Sequence, residues 1–408
     1  MSFLSKIEVI ECRNIKELSI PISSEQRKHL LITGKNGSGK TSLLLDLKKF
    51  LNGVFNDQLK KLRHQQASLQ EARQIAINQV ANGTSQSNFE SQITNWIKQH
   101  FGGCNLIFHD EDKLIEQVKA GTFILAFFPA KRNTTVAVPT GIQKINLPER
   151  VPTNATVGDR FLQYIVNLKA DRSFAKDDGK IDEVQRIDKW FHEFTEQLRD
   201  IFDAPDLILA FDRQNYTFEI TIPGQEPFGL NVLSDGYSAI LSIVVELLMR
   251  MEPHRKGRRA LKLYDLEGIV LVDEIETHLH VDLQKKILPF LTNVFPNLQF
   301  VVSTHSPFVL SSLSNATICD LENRFITEDL SGYSYDALIE SYFDSDKYSD
   351  ELKAKLVEYE RLSSSNQLSR DQSKKLFELE TYFDAIPKQF GPELAVKLQQ
   401  IKLDRLNK

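Results

Sequence analysis

The chain has 408 residues, of which 41% are hydrophobic and 26% are charged, a composition ordinary for a soluble globular protein of two or three domains. No apolar run approaches the roughly 18 to 20 residues that a membrane span requires, and residues 1–6 lack the apolar core of a signal peptide. We therefore expect a cytoplasmic protein with no membrane partner. The net charge of −5 argues against a protein that coats nucleic acid over its whole surface, although a local basic face is compatible with it. The three cysteines, which are odd in number and far apart, indicate buried thiols rather than a disulfide framework or a zinc site: Cys12, Cys104 and Cys319.

The first predicted element is a β-hairpin. Residues 6–12 alternate between apolar and polar side chains, as in a half-buried strand, and residues 16–22 have the pattern of its partner. Arg13 and Asn14 lie in the connection between them. Arg13 fits two interpretations equally well, a contact to a bound ligand or a solvated turn.

A glycine-rich turn follows the apolar run of residues 30–32 and opens a leucine-rich helix. Its sequence matches G-x-x-x-x-G-K-[ST] in the strand, turn and helix context of a phosphate-binding loop. The glycines allow successive N–H groups to face one concavity, and the helix adds its positive end. Lys40 is expected to reach the β- and γ-phosphates of a nucleotide, and the Thr41 hydroxyl to ligate Mg²⁺. The expected nucleotide contacts are Gly34, Asn36, Gly37, Ser38, Gly39, Lys40, Thr41 and Ser42.

A helical hairpin is predicted next. Apolar residues recur every seven positions at Phe55, Leu62, Leu69 and Ala76, so the helix that begins at Thr41 is expected to run for about 40 residues. A second stripe follows a turn predicted at residues 82–85 and comprises Phe89, Ile93, Trp96 and Ile97. Such an insertion either contacts a partner or packs on its own domain.

Residues 122–128 form an apolar run that predicts a buried strand returning the chain to the main sheet. Residues 155–203 have helical periodicity, which predicts a helical lobe, and residues 207–211 and 216–222 then alternate as strands. Residues 233–238 precede a long apolar helix, so Ser234 is predicted to be its N-cap and Gly236 to open its first turn. The N-terminus of this helix is also an anion site that can serve a phosphate brought by another subunit.

Two further strand ends carry polar groups. Residues 268–272 are an apolar strand followed by Asp273 and Glu274, at the sheet edge where α/β folds bind ligands. Asp273 is expected to hold Mg²⁺ through the waters of the metal, and Glu274 to polarise the attacking water. Residues 298–302 form another apolar strand, and His305 follows it at the edge expected to face the γ-phosphate.

Four segments resemble, in type and order, the Walker A, signature, Walker B and switch-histidine motifs of ABC-type ATPases: residues 34–41, residues 233–238, residues 268–274 and His305. Within that superfamily, Arg13-Asn14, residues 276–280 and residues 303–307 are similar to the SMC, RecF and OLD branch. The resemblance implies an α/β P-loop NTPase of the ABC-type head, an ATPase that uses ATP and Mg²⁺. It also implies a head-to-tail dimer or higher homo-oligomer, in which ATP is sandwiched between Lys40 and the partner subunit's Ser234 and Gly236. The implied catalytic residues are Glu274, His305 and Lys40, and the implied metal ligands are Thr41 and Asp273.

The chain departs from the family pattern at two places. The signature has Asp235 and Tyr237 where a second glycine and a glutamine or glutamate are common, and residues 128–130 contain no Q-loop glutamine. Arg132 and Gln143 are the two alternatives for that missing contact.

More narrowly, the short insertion and the helical tail resemble Septu-type anti-phage ATPases, the PtuA group, including retron-linked relatives. This resemblance implies a role in phage defence with a separate HNH-type, PtuB-like nuclease, and it allows DNA or a retron RNA–DNA as a further partner. The tail has apolar stripes at helical spacing, which we expect to be buried against the ATPase domain or against another protein. The residues of these stripes are Leu352, Leu356, Tyr359, Leu376, Leu379, Phe383, Leu394, Leu398 and Ile401.

Three alternatives remain open. A TOPRIM nuclease needs a D-x-D pair at a strand end, but residues 344–346 precede a helix and favour a capping turn, so we expect no nuclease in this chain. A RecF- or SMC-like repair ATPase that clamps DNA directly is the second, and a nucleotide sensor with slow turnover is the third. The dense basic run that could contact DNA phosphates, or could be a solvated loop, comprises Arg255, Lys256, Arg258, Arg259 and Lys262.

The predicted domain organisation follows from these segments. We expect an ATPase head in three parts, with residues 1–52 carrying Walker A, residues 101–152 returning to the head, and residues 205–325 carrying the signature, Walker B and the switch histidine. The remaining segments are the helical, coiled-coil insertion at 53–100, the helical lobe at 153–204 and the partner-docking tail at 326–408.

Overall fold

The structure is a computed structural model that describes residues 1–78, 83–132, 138–254, 265–332, 350–365, 369–384, 398–401 and 403. The chain divides into two compact units, Met1–Tyr335 and Asp336–Lys408. None of the described helices is both long enough and apolar enough to cross a membrane. The basic run at residues 255–262 and the D-x-D at residues 344–346 lie outside the described residues.

The first unit contains most of the regular structure. Its strands are β1 (Leu4–Cys12), β2 (Ile15–Pro21), β3 (His29–Thr33), β4 (Cys104–Phe108), β5 (Phe123–Phe128), β6 (Ile208–Asp212), β7 (Thr217–Thr221), β8 (Phe228–Gly229), β9 (Glu267–Val272), β10 (Leu298–Ser303), β11 (Ala316–Asp320) and β12 (Phe325–Glu328). Its helices are α1 (Lys40–Phe55), α2 (Leu59–Asn78), α3 (Gly83–Phe101), α4 (Glu111–Lys119), α5 (Phe161–Asp177), α6 (Ile181–Phe202), α7 (Asp235–Met251), α8 (Val281–Val294) and α9 (Pro307–Leu310). The second unit contains α10 (Asp350–Ser363) and α11 (Arg370–Asp384).

The central sheet has six strands in the order β12-β11-β3-β10-β9-β5 and is parallel except for β12. Strands β3, β10 and β11 are buried along their whole length, as expected for a parallel sheet covered on both faces. The register places Leu30 beside Val301 and Val301 beside Leu271. Because the strands are parallel, the segments that follow β3, β9 and β10 meet at one edge of the sheet. The predicted α/β class is confirmed.

A second sheet has the order β2-β1-β4 and is antiparallel. The predicted hairpin is confirmed, with Ile7 opposite Ile20 in β1 and β2. Strand β4 was not predicted, and it pairs with β1 across about a hundred residues of sequence, with Cys104 opposite Val9. The inward side chains of this sheet, those of α1 and one face of the central sheet form one hydrophobic core.

The prediction of a single helix of about 40 residues is wrong. Helix α1 ends at Phe55, Asp57 adopts a left-handed φ of 60°, and α2 begins at Leu59. Helix α3 begins at Gly83, inside the segment predicted as a turn. The base of the insertion packs on its own domain, because the ring of Phe101 lies 5.0 Å from that of Phe50 in α1.

The helical lobe is formed by α5 and α6, where helical periodicity predicted it. Its centre is aromatic: the Trp190 ring stacks on Phe194 at 5.3 Å, and Phe161 packs beside Phe194. The lobe is followed by the small antiparallel sheet β6-β7-β8, of which β6 and β7 were predicted.

A buried ion pair in α7 connects this helix to β5 and to the base of the lobe. Arg250 Nε donates to Glu246 Oε1 at 2.7 Å, and its Nη1 donates to the carbonyl of Leu125 in β5 at 2.8 Å. Glu246 Oε2 accepts the backbone N–H groups of Val157 at 2.8 Å and Gly158 at 2.6 Å. Both side chains are almost fully buried, so neither charge is solvated by water.

Replacing Glu246 with alanine should lower the free energy of unfolding by about 3 to 5 kcal/mol, because the Arg250 charge stays buried without its partner. Asp188→Ala is the matched control, since it breaks the exposed pair with Arg172 and should cost less than about 1 kcal/mol. Urea unfolding followed by tryptophan fluorescence reports on the first unit, which contains both tryptophans, Trp96 and Trp190. An equal loss of unfolding free energy in the two variants would contradict a stabilising role for the buried Glu246–Arg250 pair.

The second unit corrects the expectation for the tail. Helices α10 and α11 bury their apolar stripes against each other and form a separate small core. The core residues are Leu356, Tyr359, Leu362, Leu376, Leu379 and Phe383, with Leu352, Leu398 and Ile401 packed against them. Leu394 lies outside the described residues. The large hydrophobic side chains that stay exposed on these two helices are Val357, Phe377 and Tyr382.

Candidate nucleotide-binding site

The loop between β3 and α1 has the backbone geometry of a phosphate cradle. Gly34, Gly37 and Gly39 adopt φ values of 135°, 87° and 104°, a region that disfavours any residue with a Cβ. A Cβ at Gly34 would lie 2.8 Å from Ser38 Oγ, so the loop closes tightly on itself there. A Cβ at Gly37 would meet nothing within 4 Å, which marks the open side of the loop.

Lys40 is buried at the start of α1 and spans the loop. Its Nζ donates to the carbonyls of Gly34 at 2.7 Å and Lys35 at 3.1 Å. Burial lowers the pKa of Lys40, and nearby carboxylates, Glu274 first among them, oppose that shift. The ammonium is therefore held across the concavity, and incoming phosphate oxygens can replace the two carbonyls.

Asp273 follows β9 and connects the start of α1 to the end of β10. This residue is 3% exposed, and its Oδ1 accepts the hydroxyls of Thr41 at 3.3 Å and Ser303 at 2.6 Å. Ser303 Oγ in turn accepts the backbone N–H of Glu274 at 2.8 Å. Among the described residues there is no cluster of three or more metal-binding side chains, so a Mg²⁺ ion here would take phosphate and water oxygens in addition to Thr41 and Asp273. Ser303 was not predicted as a site residue, because only the folded sheet places it beside Asp273.

Glu274 stands at the end of β9 with a left-handed φ of 45°, which is unfavourable for a side chain of this size. Its Oε2 lies 3.5 Å from the Thr277 hydroxyl. The structure therefore places a half-buried carboxylate directly beside the Asp273 cluster, held in a strained backbone conformation.

His305 follows β10 at the same edge, and its backbone N–H donates to Glu276 Oε1 at 2.5 Å. Burial lowers the pKa of His305, with Lys40 adding to the effect and three carboxylates opposing it. The imidazole is therefore mostly neutral at pH 7 and can donate one hydrogen bond. Within the described part of the chain, Glu276 Oε2 is buried without a hydrogen-bond partner. Glu276 was predicted only to belong to the segment 276–280 that resembles the SMC, RecF and OLD branch, and no role in the site was assigned to it.

Of the two alternatives for the missing Q-loop contact, Arg132 lies at the site. Its guanidinium donates to the carbonyls of Asp273 at 2.7 Å and Glu274 at 2.9 Å. The backbone N–H and carbonyl of Gln143 instead bond to the side-chain amide of Asn167 in α5.

Arg13 lies in the β1–β2 turn, exposed and with a φ of 49°. The turn adjoins the phosphate loop, because a Cβ at Gly39 would lie 3.0 Å from Ile15 Cδ1. Asn36 is exposed in the loop and Ser42 is half-buried in the first turn of α1. Both interpretations of Arg13 fit this position, so its nucleotide contact stays a prediction.

Ser234 is the N-cap of α7 by its backbone, but its exposed hydroxyl makes no capping hydrogen bond. Gly236 is buried, and a Cβ there would lie 2.9 Å from the His278 carbonyl in the segment that follows Glu274. Tyr237, one of the two departures from the family signature, stacks on Phe202 of α6 at 4.2 Å. The signature segment therefore packs between the lobe and the Walker B segment and leaves the Ser234 hydroxyl available.

The residues at this edge fit a nucleoside triphosphate with Mg²⁺. In the described structure, Ser38 Oγ and Thr33 Oγ1 in and before the loop are buried without hydrogen-bond partners, and so is Glu276 Oε2. Such orphaned polar atoms cost free energy unless a ligand or water satisfies them. A buried ammonium, an open glycine loop and a hydroxyl–carboxylate pair supply the remaining chemistry.

Residues 148–311 match a protein-family model described as "AAA domain, putative AbiEii toxin, Type IV TA system". A Septu protein PtuA from Bacillus mycoides (strain KBAB4) is 35% identical over 122 residues, which cover 28% of this chain and 16% of that protein. A retron Ec83 probable ATPase from Escherichia coli is 31% identical over 153 residues, which cover 35% of this chain and 27% of that protein. The chain thus spans well under a third of either relative's length.

Among solved structures, the SMC head bound to the C-terminal winged-helix domain of ScpA has a TM-score of 0.40 at 11% identity and covers 81% of this chain and 100% of its own. An SMC head domain from Thermotoga maritima has a TM-score of 0.34 at 13% identity and covers 77% of this chain and 94% of its own. The comparisons confirm the resemblance that the motifs indicate, since the chain is similar to an AAA-domain family, to Septu PtuA proteins and to retron-associated ATPases.

Proposed function

We propose that this chain is the ATP-hydrolysing subunit of an anti-phage defence system, and that its ATP cycle controls a separate nuclease. The observation that carries the proposal is the buried Asp273, which joins Thr41 of the phosphate loop to Ser303 of β10 beside the strained Glu274. This arrangement supplies a metal ligand and a base next to a phosphate cradle, which is what phosphoryl transfer to water requires.

In this proposal each group has one task. The loop N–H groups and Lys40 hold the β- and γ-phosphates, and Thr41 and Asp273 hold Mg²⁺, which neutralises charge on those phosphates when bound. Glu274 orients the attacking water and takes up its proton, while His305 donates to a γ-phosphate oxygen. Ser234 and Gly236 act on the nucleotide of a facing subunit, which makes the active form a head-to-tail dimer or a larger assembly of such dimers.

The defence role is supported by the relatives named after Septu and retron systems. The two described helices of the second unit leave Val357 and Phe377 exposed. We assign nuclease docking to these exposed side chains, because the stripes predicted for docking are buried in the core of that unit.

Deleting residues 336–408 should leave Mg²⁺-dependent ATP hydrolysis within about twofold of the full chain, because residues 1–335 form a compact unit with all the site residues. The same deletion should abolish copurification with the nuclease and protection against phage. A full chain that does not hydrolyse ATP would refute the enzymatic part of the proposal, and a truncated chain that retains the nuclease would refute the docking part.

A more specific test of nuclease docking replaces Phe377 and Val357 with aspartate, which puts charge on the exposed faces of the two helices and leaves the core of the unit unchanged. We expect loss of the nuclease with ATP turnover unchanged. The control is Ile181→Asp, since Ile181 in the lobe is 67% exposed and Phe377 is 69% exposed. Normal nuclease binding by the double variant would contradict this surface.

A further inference from the structure

The Arg132 guanidinium contacts the backbone of residues 273–275, the turn that follows β9 and is called the Walker B turn below. Its Nε donates to Pro129 O at 3.1 Å, its Nη2 to Asp273 O at 2.7 Å and Glu274 O at 2.9 Å, and its Nη1 lies 3.4 Å from Ile275 O. Three consecutive carbonyls of this turn, from Asp273 to Ile275, therefore face one side chain.

The turn that Arg132 holds is the one that sets the direction of the Glu274 carboxylate. On its N–H side, Asp273 N donates to Phe128 O at 2.8 Å and Glu274 N donates to Ser303 Oγ at 2.8 Å. These bonds anchor the N–H side of the turn to β5 and β10, and on the carbonyl side Glu274 O accepts the N–H of Thr277 at 3.1 Å in addition to the Arg132 guanidinium. Since a left-handed φ at a non-glycine residue costs about 1 to 2 kcal/mol, the conformation of Glu274 persists only if other contacts enforce it.

We propose that Arg132 is a positioning residue for ATP hydrolysis, which holds the carbonyls of residues 273–275 so that Glu274 keeps the backbone conformation its role as base requires. The inference rests on the proposed function, because it assigns Arg132 a part in that same reaction. Arg132 acts through the peptide backbone rather than by touching the nucleotide, which distinguishes it from a substitute for the Q-loop glutamine.

Arginine suits this position for reasons of shape and charge. A guanidinium carries five N–H donors in one plane and can serve several carbonyls at once, whereas a lysine offers its donors from a single nitrogen. Burial lowers the pKa of Arg132 to about 10, with Glu276, Asp273 and Glu274 opposing the shift, so the group stays charged at neutral pH. The same charge offsets part of the repulsion among those three carboxylates.

The test compares Arg132→Met and Arg132→Lys with the control Arg199→Met in the full-length protein. Arg199 is also half-buried and also donates to a backbone carbonyl, that of Leu207 at 3.0 Å, but it lies in the lobe. In Arg132→Met we expect kcat to fall about 10- to 100-fold with KM and ATP affinity within about twofold, because a base displaced by about 1 Å loses that much. Arg132→Lys should fall between this variant and wild type, and Arg199→Met should match wild type.

A second measurement follows the turn itself. Hydrogen exchange of peptides that cover residues 273–279 should speed up in Arg132→Met and not in Arg199→Met, because the amides of Ile275 and Thr277 bond within or beside this turn. In a Glu274→Gln background, Arg132→Met should cost little further turnover, since the group it positions is already disabled.

Three results would overturn the proposal. They are wild-type turnover in Arg132→Met, a loss of ATP affinity as large as the loss of turnover, and unchanged exchange at residues 273–279. A wild-type protein that binds ATP without hydrolysing it would refute the proposed function instead, and the exchange measurement would then still show whether Arg132 holds the turn.

Discussion

Replacing Glu274 with glutamine should lower ATP turnover by about a thousandfold while leaving ATP binding intact, because a positioned general base contributes about 10² to 10⁴ in rate. Glutamine keeps the shape of the side chain and the backbone bond to Ser303, but it cannot take up a proton. Lys40→Ala should lose turnover together with affinity, weakening ATP binding about 10- to 100-fold through the loss of a charge-assisted hydrogen bond. Phosphate release and equilibrium titration with ATP measure the two effects separately.

Glu219→Gln is the matched control for this pair, since Glu219 is an exposed carboxylate on β7, outside the nucleotide site. It should leave both turnover and affinity at the wild-type values. If Glu274→Gln hydrolyses ATP at the wild-type rate, Glu274 is not the base. If Lys40→Ala binds ATP normally, the glycine loop does not hold the phosphates in the way proposed.

The nucleotide site could be predicted from the sequence where its chemistry is local. The phosphate loop and the strand before Asp273 are continuous segments, in which glycine spacing and an apolar run determine the geometry. Ser303 and Arg132 could not be assigned in the same way. Ser303 reaches Asp273 only through the pairing of β9 with β10, and Arg132 meets the Walker B turn because β5 pairs with β9.

Long-range pairing also explains the strands that were missed. The missed strands β4, β11 and β12 have five, five and four residues. Strand β4 becomes a strand by pairing with β1, and β11 by pairing with β3 at the phosphate loop. Local sequence contains little information about such partners.

The helix errors have a different cause. The seven-residue repeat spans the break between α1 and α2, because Phe55 and Leu62 keep the spacing although Asp57 is left-handed. A repeat reports which side chains are buried and not whether the backbone between them is continuous. In the tail, the stripes were predicted correctly, but their partner was another helix of the same unit.

Ser234 exposes its hydroxyl at the N-terminus of α7, and this hydroxyl makes no capping hydrogen bond. A helix N-terminus with a free hydroxyl can receive a phosphate, and the absence of a side chain at Gly236 lets α7 approach the His278 carbonyl closely. We expect these groups to complete the site of a facing subunit, so Lys40→Ala and Ser234→Arg should each be inactive alone. Mixed one to one, they should regain about a quarter of wild-type activity, because half of the dimers of a symmetric pair are mixed and each has one intact site.

The control for this experiment is a mixture of Lys40→Ala with Glu274→Gln. Both residues serve the nucleotide held by their own chain, so no mixed dimer contains an intact site and the mixture should stay inactive. Native mass spectrometry establishes that mixed dimers form in both cases. Recovery in the Ser234 mixture alone shows that Ser234 works on the neighbouring nucleotide, whereas the absence of recovery in confirmed mixed dimers, or equal recovery in the control, contradicts the composite site.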